Sequence, residues 1–173
     1  MNRENISVLI PKSGIETRVI EIGAQITKDY QGKNLTLICV LKGGVMFMAE
    51  LAKHIDLDLE MDFIGISSYG NGSVSSGIVK INLDISSPIE GKNVLLVEDI
   101  VDTGRSIVYL LSHLERKRPA SLKICALLDK PSRRVIDVKP DYTCFVIPDK
   151  FVVGYGLDYD QKYRNLDYIG TML

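Results

Sequence analysis

The chain has 173 residues, of which 46% are apolar and 25% charged, a balance that predicts one globular core and no second domain. Its formal net charge of -1 supplies no positive field, which excludes general attraction to nucleic acid or to an anionic membrane surface. Any anion it binds must be held locally.

A short strand is expected near Val8 to Ile10. From Ser13 to Gln31, Ile15, Val19, Ile22, Ile26 and Tyr30 recur at spacings of three and four, which predicts an amphipathic helix with a serine near its start and Gly32 just past its end. Leu35 to Leu41 (LTLICVL) is a continuous apolar strand, followed by KGG and a helix over Val45 to His54. This order opens a βαβ arrangement. Met61 to Ser67 and Ile78 to Ile85 are strand-like runs around SYGNGSVSSG, a stretch too poor in apolar residues to pack itself, so a mobile loop on a hairpin-like arm is expected. A buried strand over Asn93 to Val97, a helix over Ser106 to Arg118 and a strand over Leu122 to Leu128 come next. Tyr142 to Ile147 and Phe151 to Gly154 are short strands divided by Pro148, and the tail from Leu157 is polar and rich in Tyr and Asp. The alternation predicts an α/β fold with a mostly parallel twisted sheet flanked by helices, and ligands beyond the carboxyl ends of its strands.

Cys39, Cys125 and Cys144 are odd in number, far apart and set in apolar runs without a CxxC pair. They read as buried hydrophobes in a reducing compartment. With no run of about 18 apolar residues for a membrane helix and no signal-peptide core before Pro11, a cytoplasmic protein is expected.

Residues 94 to 106, VLLVEDIVDTGRS, set Glu98, Asp99 and Asp102 at the end of an apolar strand. Carboxylates that close repel one another, so a purely structural role for all three is disfavoured. Asp102, Thr103, Gly104, Arg105 and Ser106 form a turn of mostly small residues that feeds a helix, the pattern of a phosphate cradle; the plainer reading of the turn is a helix capped by Thr103 or Ser106. Glu98 and Asp99 suit sugar hydroxyls or a hard cation, and Mg2+ commonly takes one or two protein carboxylates with substrate phosphates and water. A phosphorylated ribose fits such a site.

The same thirteen residues resemble the phosphoribosyl pyrophosphate motif of type I phosphoribosyltransferases. LKGG at 41 to 44, SY at 68 to 69, LLDK at 127 to 130 and DKFVVGYGLDYDQKYRN at 149 to 165 extend the resemblance along the chain to the hypoxanthine-guanine branch of that family. The resemblance implies a single domain over 1 to 173, with a small hood built from the N-terminal segment and about 148 to 173 and a flexible lid over about 68 to 77 that includes Ser68 and Tyr69. It implies purine salvage: transfer of a phosphoribosyl group from phosphoribosyl pyrophosphate to hypoxanthine or guanine, giving IMP or GMP and pyrophosphate.

By that resemblance Asp102 is the catalytic acid/base at N7 of the purine, and Asp102, Thr103, Gly104, Arg105 and Ser106 wrap the 5′-phosphate. Glu98 and Asp99 engage the ribose and, with Asp158, Mg2+. Lys42, Gly43 and Arg164 hold pyrophosphate, with a cis peptide often found at Leu41 to Lys42. Lys130, Phe151, Val152 and Asp158 receive the purine. The partners implied are the two small-molecule substrates and further copies of the chain in a dimer or tetramer, with no nucleic acid or membrane. Read without the resemblance, Phe151 and Val152 are core packing, and Lys130, Arg133 and Arg134 a solvated basic turn. His54 and His113, lacking a visible acid or cysteine partner, read as structural or surface residues, and Arg116 to Arg118 as cations at a helix end. The alternatives are a nucleotide-binding regulator on the same fold and a relative preferring xanthine; a dinucleotide binder is disfavoured because no GxGxxG follows a strand.

Overall fold

Side-chain alternation along the central strands dictates the layering. Leu37 and Cys39 point to one side of their strand and Ile38 and Val40 to the other, and all four are buried, so this strand needs cover on both faces. The computed structural model describes residues 5–68 and 79–172. Among them the order is β1 (Ile6–Ile10), α1 (Lys12–Asp29), β2 (Leu35–Leu41), α2 (Val45–Lys53), β3 (Leu59–Ser68), β4 (Val79–Leu83), β5 (Asn93–Val101), α3 (Arg105–Glu115), β6 (Ser121–Asp129), β7 (Tyr142–Val146), β8 (Val152–Val153) and β9 (Ile169–Met172).

The main sheet runs β4-β3-β2-β5-β6-β7, parallel throughout except for β4, which returns antiparallel to β3. Leu37, Cys39, Leu95, Val97, Cys125 and Leu127 pack on the α1 and α2 side. Ile38, Val40, Val94, Leu96, Ile124 and Ala126 pack against Ile107, Leu110 and Leu114 of α3. All three thiols are buried and free, and burial pushes Cys39 and Cys144 up to about 12. A second sheet, β1-β9-β8, joins the two ends of the chain.

The departures from the sequence reading have local causes. Strand β5 continues four residues past Val97 because β6 keeps pairing with it, Glu98 opposite Ala126 and Val101 opposite Asp129; a backbone ladder is indifferent to the charge of the side chains it carries. The polar tail ends in β9, a four-residue strand that forms only because β1 and β8 flank it. Helix α1 begins at Lys12, after Pro11 and without a side-chain cap from serine. Both histidines have acid partners: Nε2 of His54 lies 3.3 Å from Glu50, and Nε2 of His113 lies 3.0 Å from the Asp84 carboxylate. The second pair joins residues 29 positions apart, which no local pattern announces. No helix among the described residues is long and apolar enough to cross a membrane.

Asp62 pins the return of the chain after the β3–β4 arm. It is 7% exposed and accepts from the backbone N–H groups of Phe63, Ser86 and Ser87 at 2.8, 2.9 and 3.0 Å, and from the Ser86 hydroxyl. Burial alone would raise its pKa, but these donors outweigh burial and hold it below the usual aspartate value. Asp62→Ala is expected to cost about 1 to 3 kcal/mol in urea unfolding at neutral pH, since it removes the shared acceptor of several part-buried donors. A carboxyl with a depressed folded pKa contributes stability above its unfolded pKa and loses it as pH falls through the folded one. The gap between parent and variant should therefore shrink on acidification below the usual aspartate range, and a pH-independent gap would point to packing instead.

Candidate active site

Strands β2 and β5 are neighbours, but the chain leaves them in opposite directions, from β2 outward to β3 and from β5 to β6 on the other side. At such a reversal the loops after the two strands diverge and leave a crevice at their carboxyl ends. Residues 42 to 44 and 102 to 104 are those loops.

After β2 the Leu41–Lys42 peptide is cis, as the resemblance implied. A methyl group on Gly43 would overlap the Asp99 carboxylate, so with glycine here the loop lies directly on the acidic end of β5 without displacing that side chain. Glu98 and Asp99 sit within β5 and are half-buried, deeper than a position on an open strand end. Burial, then the Asp99 charge and a hydrogen bond with it, pushes Glu98 well above the ordinary carboxylate range. Asp99 is also raised by burial, opposed by Glu98, by the N–H of Ile100 and by the Arg164 charge. The pair therefore tends to retain a proton. Glu98 Oε2 is enclosed and has no hydrogen-bond partner.

Beyond β5 a cavity of about 390 Å³ is lined by Glu98, Asp102, Thr103, Gly104, Ser106 and Arg133, with Ile66, Ile100, Val101 and Ile107. Gly104 precedes α3 with φ +86°, and a Cβ there would stand 2.8 Å from the Ile136 carbonyl oxygen; the position needs glycine on both counts. Gly104 itself holds the cap position and offers no side chain, and the capping that the plainer reading expects is reduced to one long contact, the Arg105 N–H to Thr103 Oγ1 at 3.5 Å. The remaining N–H groups at the helix start, reinforced by the helix dipole, suit an anion. Arg105 is exposed, and its side chain does not line the cavity.

The Asp102 and Thr103 carbonyls of this loop are bound by a segment that reads as a solvated turn in the sequence. Arg134 Nη1 donates to the Asp102 carbonyl at 2.9 Å and Nη2 to the Asp129 carboxylate. The N–H groups of Val135 and Ile136 both donate to the Thr103 carbonyl, at 3.0 and 3.1 Å. Arg134 is thus a structural strut. Lys130 is likewise no surface lysine: it is 6% exposed, with Nζ 2.7 Å from the Lys150 carbonyl oxygen and 3.7 Å from Asp149 Oδ1.

Phe151 is 56% exposed and meets the edge of Tyr159 at 5.8 Å between ring centroids. Val152 is buried in β8. Arg164 donates to the Gly156 carbonyl at 2.7 Å and to Gln161 Oε1 at 3.2 Å and forms an ion pair with Asp158 Oδ1 at 2.8 Å, and Lys42 Nζ reaches the same Gln161 oxygen at 3.2 Å. Lys42 and Arg164, 122 positions apart in the chain, therefore share one amide oxygen. Asp158 faces Arg164 and the N–H of Gln161, and among the described residues no group of three or more His, Cys, Asp or Glu could hold a metal. Glu98, Asp99 and Asp158 do not form a three-carboxylate cage. Ser68 ends β3, while Tyr69 and the rest of the expected lid lie outside the described residues.

Sequence reasoning missed Arg133, Arg134, Asp129, Gln161 and Tyr159. An arginine pair three and four positions after a strand-end lysine, in a turn opened by proline, was the available signal for the first two.

A helix start with free N–H groups, an acidic pair beside it and two cations in the neighbouring crevice, gathered at one switch point, are the arrangement suited to a phosphorylated sugar. The chain belongs to the phosphoribosyl transferase domain family, whose pattern matches residues 11–160. A hypoxanthine-guanine phosphoribosyltransferase of Streptococcus thermophilus (strain CNRZ 1066) is 53% identical over 165 residues, covering 95% of this chain and 92% of that protein. The crystal structure of a hypoxanthine phosphoribosyltransferase from Staphylococcus aureus superposes with a TM-score of 0.94 at 47% identity, over 100% of this chain and 96% of that one. A hypoxanthine-guanine phosphoribosyltransferase of Bacillus anthracis, solved with a HEPES molecule in the active site, gives 0.92 at 44% identity over 96% and 98%.

Proposed function

We propose that this protein is a purine salvage transferase that moves the 5-phosphoribosyl group from phosphoribosyl pyrophosphate to N9 of hypoxanthine or guanine and releases pyrophosphate. The observation that carries the reading is a buried ammonium, Lys130, joined through its own backbone N–H to Val101 at the wall of the phosphate-binding cavity. One short segment thereby links a group suited to a 6-oxopurine with a group of N–H donors suited to a 5′-phosphate.

In this reading the backbone of 102 to 106 and the hydroxyls of Thr103 and Ser106 hold the 5′-phosphate, and Glu98 and Asp99 orient the ribose hydroxyls. Loss of pyrophosphate leaves cationic character at C1′, and the incoming base must shed a proton. Asp102 accepts it at N7 and places negative charge beside the cation. Lys130 spends one donor on Lys150 and keeps two for O6. Phe151 stacks on the purine, Val152 offers backbone groups to its edge, and Asp158 closes that end of the pocket. Lys42, Gly43 and Arg164 receive pyrophosphate; the Gln161 oxygen shared by the two cations supports their acting together.

Mg2+ fits the acidic pair. An enclosed Glu98 oxygen without a hydrogen-bond partner, next to a second raised carboxyl, is a donor set that a hard cation satisfies with one or two carboxylates and substrate oxygens. Glu98 and Asp99 would hold it from the protein side, with Asp158 nearer the base. When bound, the ion offsets the charge of the departing pyrophosphate.

A single domain, with a hood formed by β1, β8 and β9 and a lid over 68 to 77, belongs to the same reading. The end-joining sheet supports the hood, and the antiparallel β3–β4 arm that carries SYGNGSVSSG supports the lid. Cytoplasmic location is supported by the three buried thiols, and a dimer or tetramer by resemblance to the family. The deciding experiment supplies phosphoribosyl pyrophosphate and Mg2+ with hypoxanthine, guanine, xanthine or adenine, and follows nucleotide and pyrophosphate. IMP and GMP should form with stoichiometric pyrophosphate. Failure to form nucleotide from any base would overturn the reading.

A further inference from the structure

The side chains lining the cavity include two carboxylates, Glu98 and Asp102, and one guanidinium, Arg133. A phosphate monoester carries about -1.5 to -2 charges near neutral pH, so in this space it meets like charge on the β5 side. The start of α3 contributes only about half a unit of positive charge. Arg105, the cation that sequence position alone would nominate, turns its side chain elsewhere.

Arg133 lines the cavity from a one-turn 3-10 helix, Pro131–Arg133, anchored by its own N–H to the Lys130 carbonyl at 3.1 Å. Its side chain is half exposed and takes part in two loose ion pairs, Nε 3.4 Å from Asp102 Oδ1 and Nη1 3.7 Å from Asp149 Oδ2. Asp102 Oδ1 is itself enclosed without a hydrogen-bond partner. A planar five-donor group held at such distances has most of its hydrogen-bonding capacity uncommitted, and phosphate oxygens accept from it in pairs.

We infer that Arg133 is a direct ligand of the 5′-phosphate, a side-chain cation that completes the backbone cradle of residues 102 to 106 and offsets the charge of Asp102 beside it. The inference rests on the phosphoribosyl-transfer reading and adds to it the group that decides how tightly the phosphate is held. Because the same guanidinium lies between Asp102 and Asp149, and Asp149 also lies near Lys130, its move onto a phosphate would leave Asp102 facing the base.

Calorimetric titration of the full chain with IMP and with inosine, which lacks only the phosphate, tests this. Arg133→Gln should weaken IMP binding about tenfold or more while inosine changes less than about twofold, the loss expected for one charge-assisted contact. Arg133→Lys, which keeps the charge but not the fork, should fall between. Arg116→Gln removes an equal charge from the exposed end of α3 and should leave both affinities unchanged. The inference is overturned if Arg133→Gln binds IMP within twofold of the parent, if it loses IMP and inosine equally, or if Arg116→Gln matches its loss. A parent protein that binds IMP no better than inosine would instead overturn the phosphate cradle, and with it the transferase reading.

Discussion

Asp102→Asn is expected to lower turnover with hypoxanthine by about 10²- to 10⁴-fold, the range for removing a positioned proton acceptor, while IMP affinity changes little. The substitution preserves shape, and the backbone at this position does not depend on the side chain. Its carbonyl is held by Arg134 and that of the next residue by two N–H groups, so the cradle should survive. Asp102 Oδ1 makes no hydrogen bond, and its cationic neighbour Arg133 stands at a loose 3.4 Å. A structural carboxylate would show the opposite pattern, with a lowered melting temperature and an unchanged kcat. Steady-state kinetics beside IMP titration separates the two, and turnover within a few-fold of the parent would remove Asp102 from the chemistry.

Lys130→Met should narrow the gap between 6-oxopurines and adenine. An ammonium has donors and no acceptor, so it satisfies O6 of hypoxanthine or guanine and meets only another donor in the 6-amino group of adenine. In a site as buried as this one, at 6% exposure, an unpaired contact is costly, and a pocket built for one hydrogen-bonding group can reject its mismatch by roughly 10⁴-fold. The substitution also breaks the link to the Lys150 carbonyl, next to Phe151, and general damage to the pocket would depress all bases alike. The ratio of kcat/KM values is therefore the decisive quantity. If the parent uses adenine as well as hypoxanthine, or the variant keeps the full ratio, another group discriminates.

Both expectations depend on how side chains distant in sequence are brought together, and the chain disclosed this unevenly. The apolar alternation in Leu35–Leu41 and in the VLLV run determined the buried parallel strands, because a two-sided apolar ladder has no stable home except inside a sheet covered on both faces. Small residues and a positive-φ glycine before an amphipathic helix determined the turn proposed as the anion cradle, since backbone geometry there follows from residue type. These features are local, and local sequence carries them.

The tertiary structure alone decided the rest. β9 exists because β1 and β8 flank it, and β5 runs on through its acids because β6 does. Lys130 and Arg134 look like solvent cations in sequence, yet partners up to 32 positions away fix them, Lys150 for the first and the Asp102 carbonyl for the second. Lys42 meets Gln161 across 119 positions. A hydrogen bond or ion pair between such groups costs the ordering of both side chains and returns free energy only when packing has already brought them within reach. Residue type can therefore state what a group is able to bind, while the completed fold decides which partner it meets.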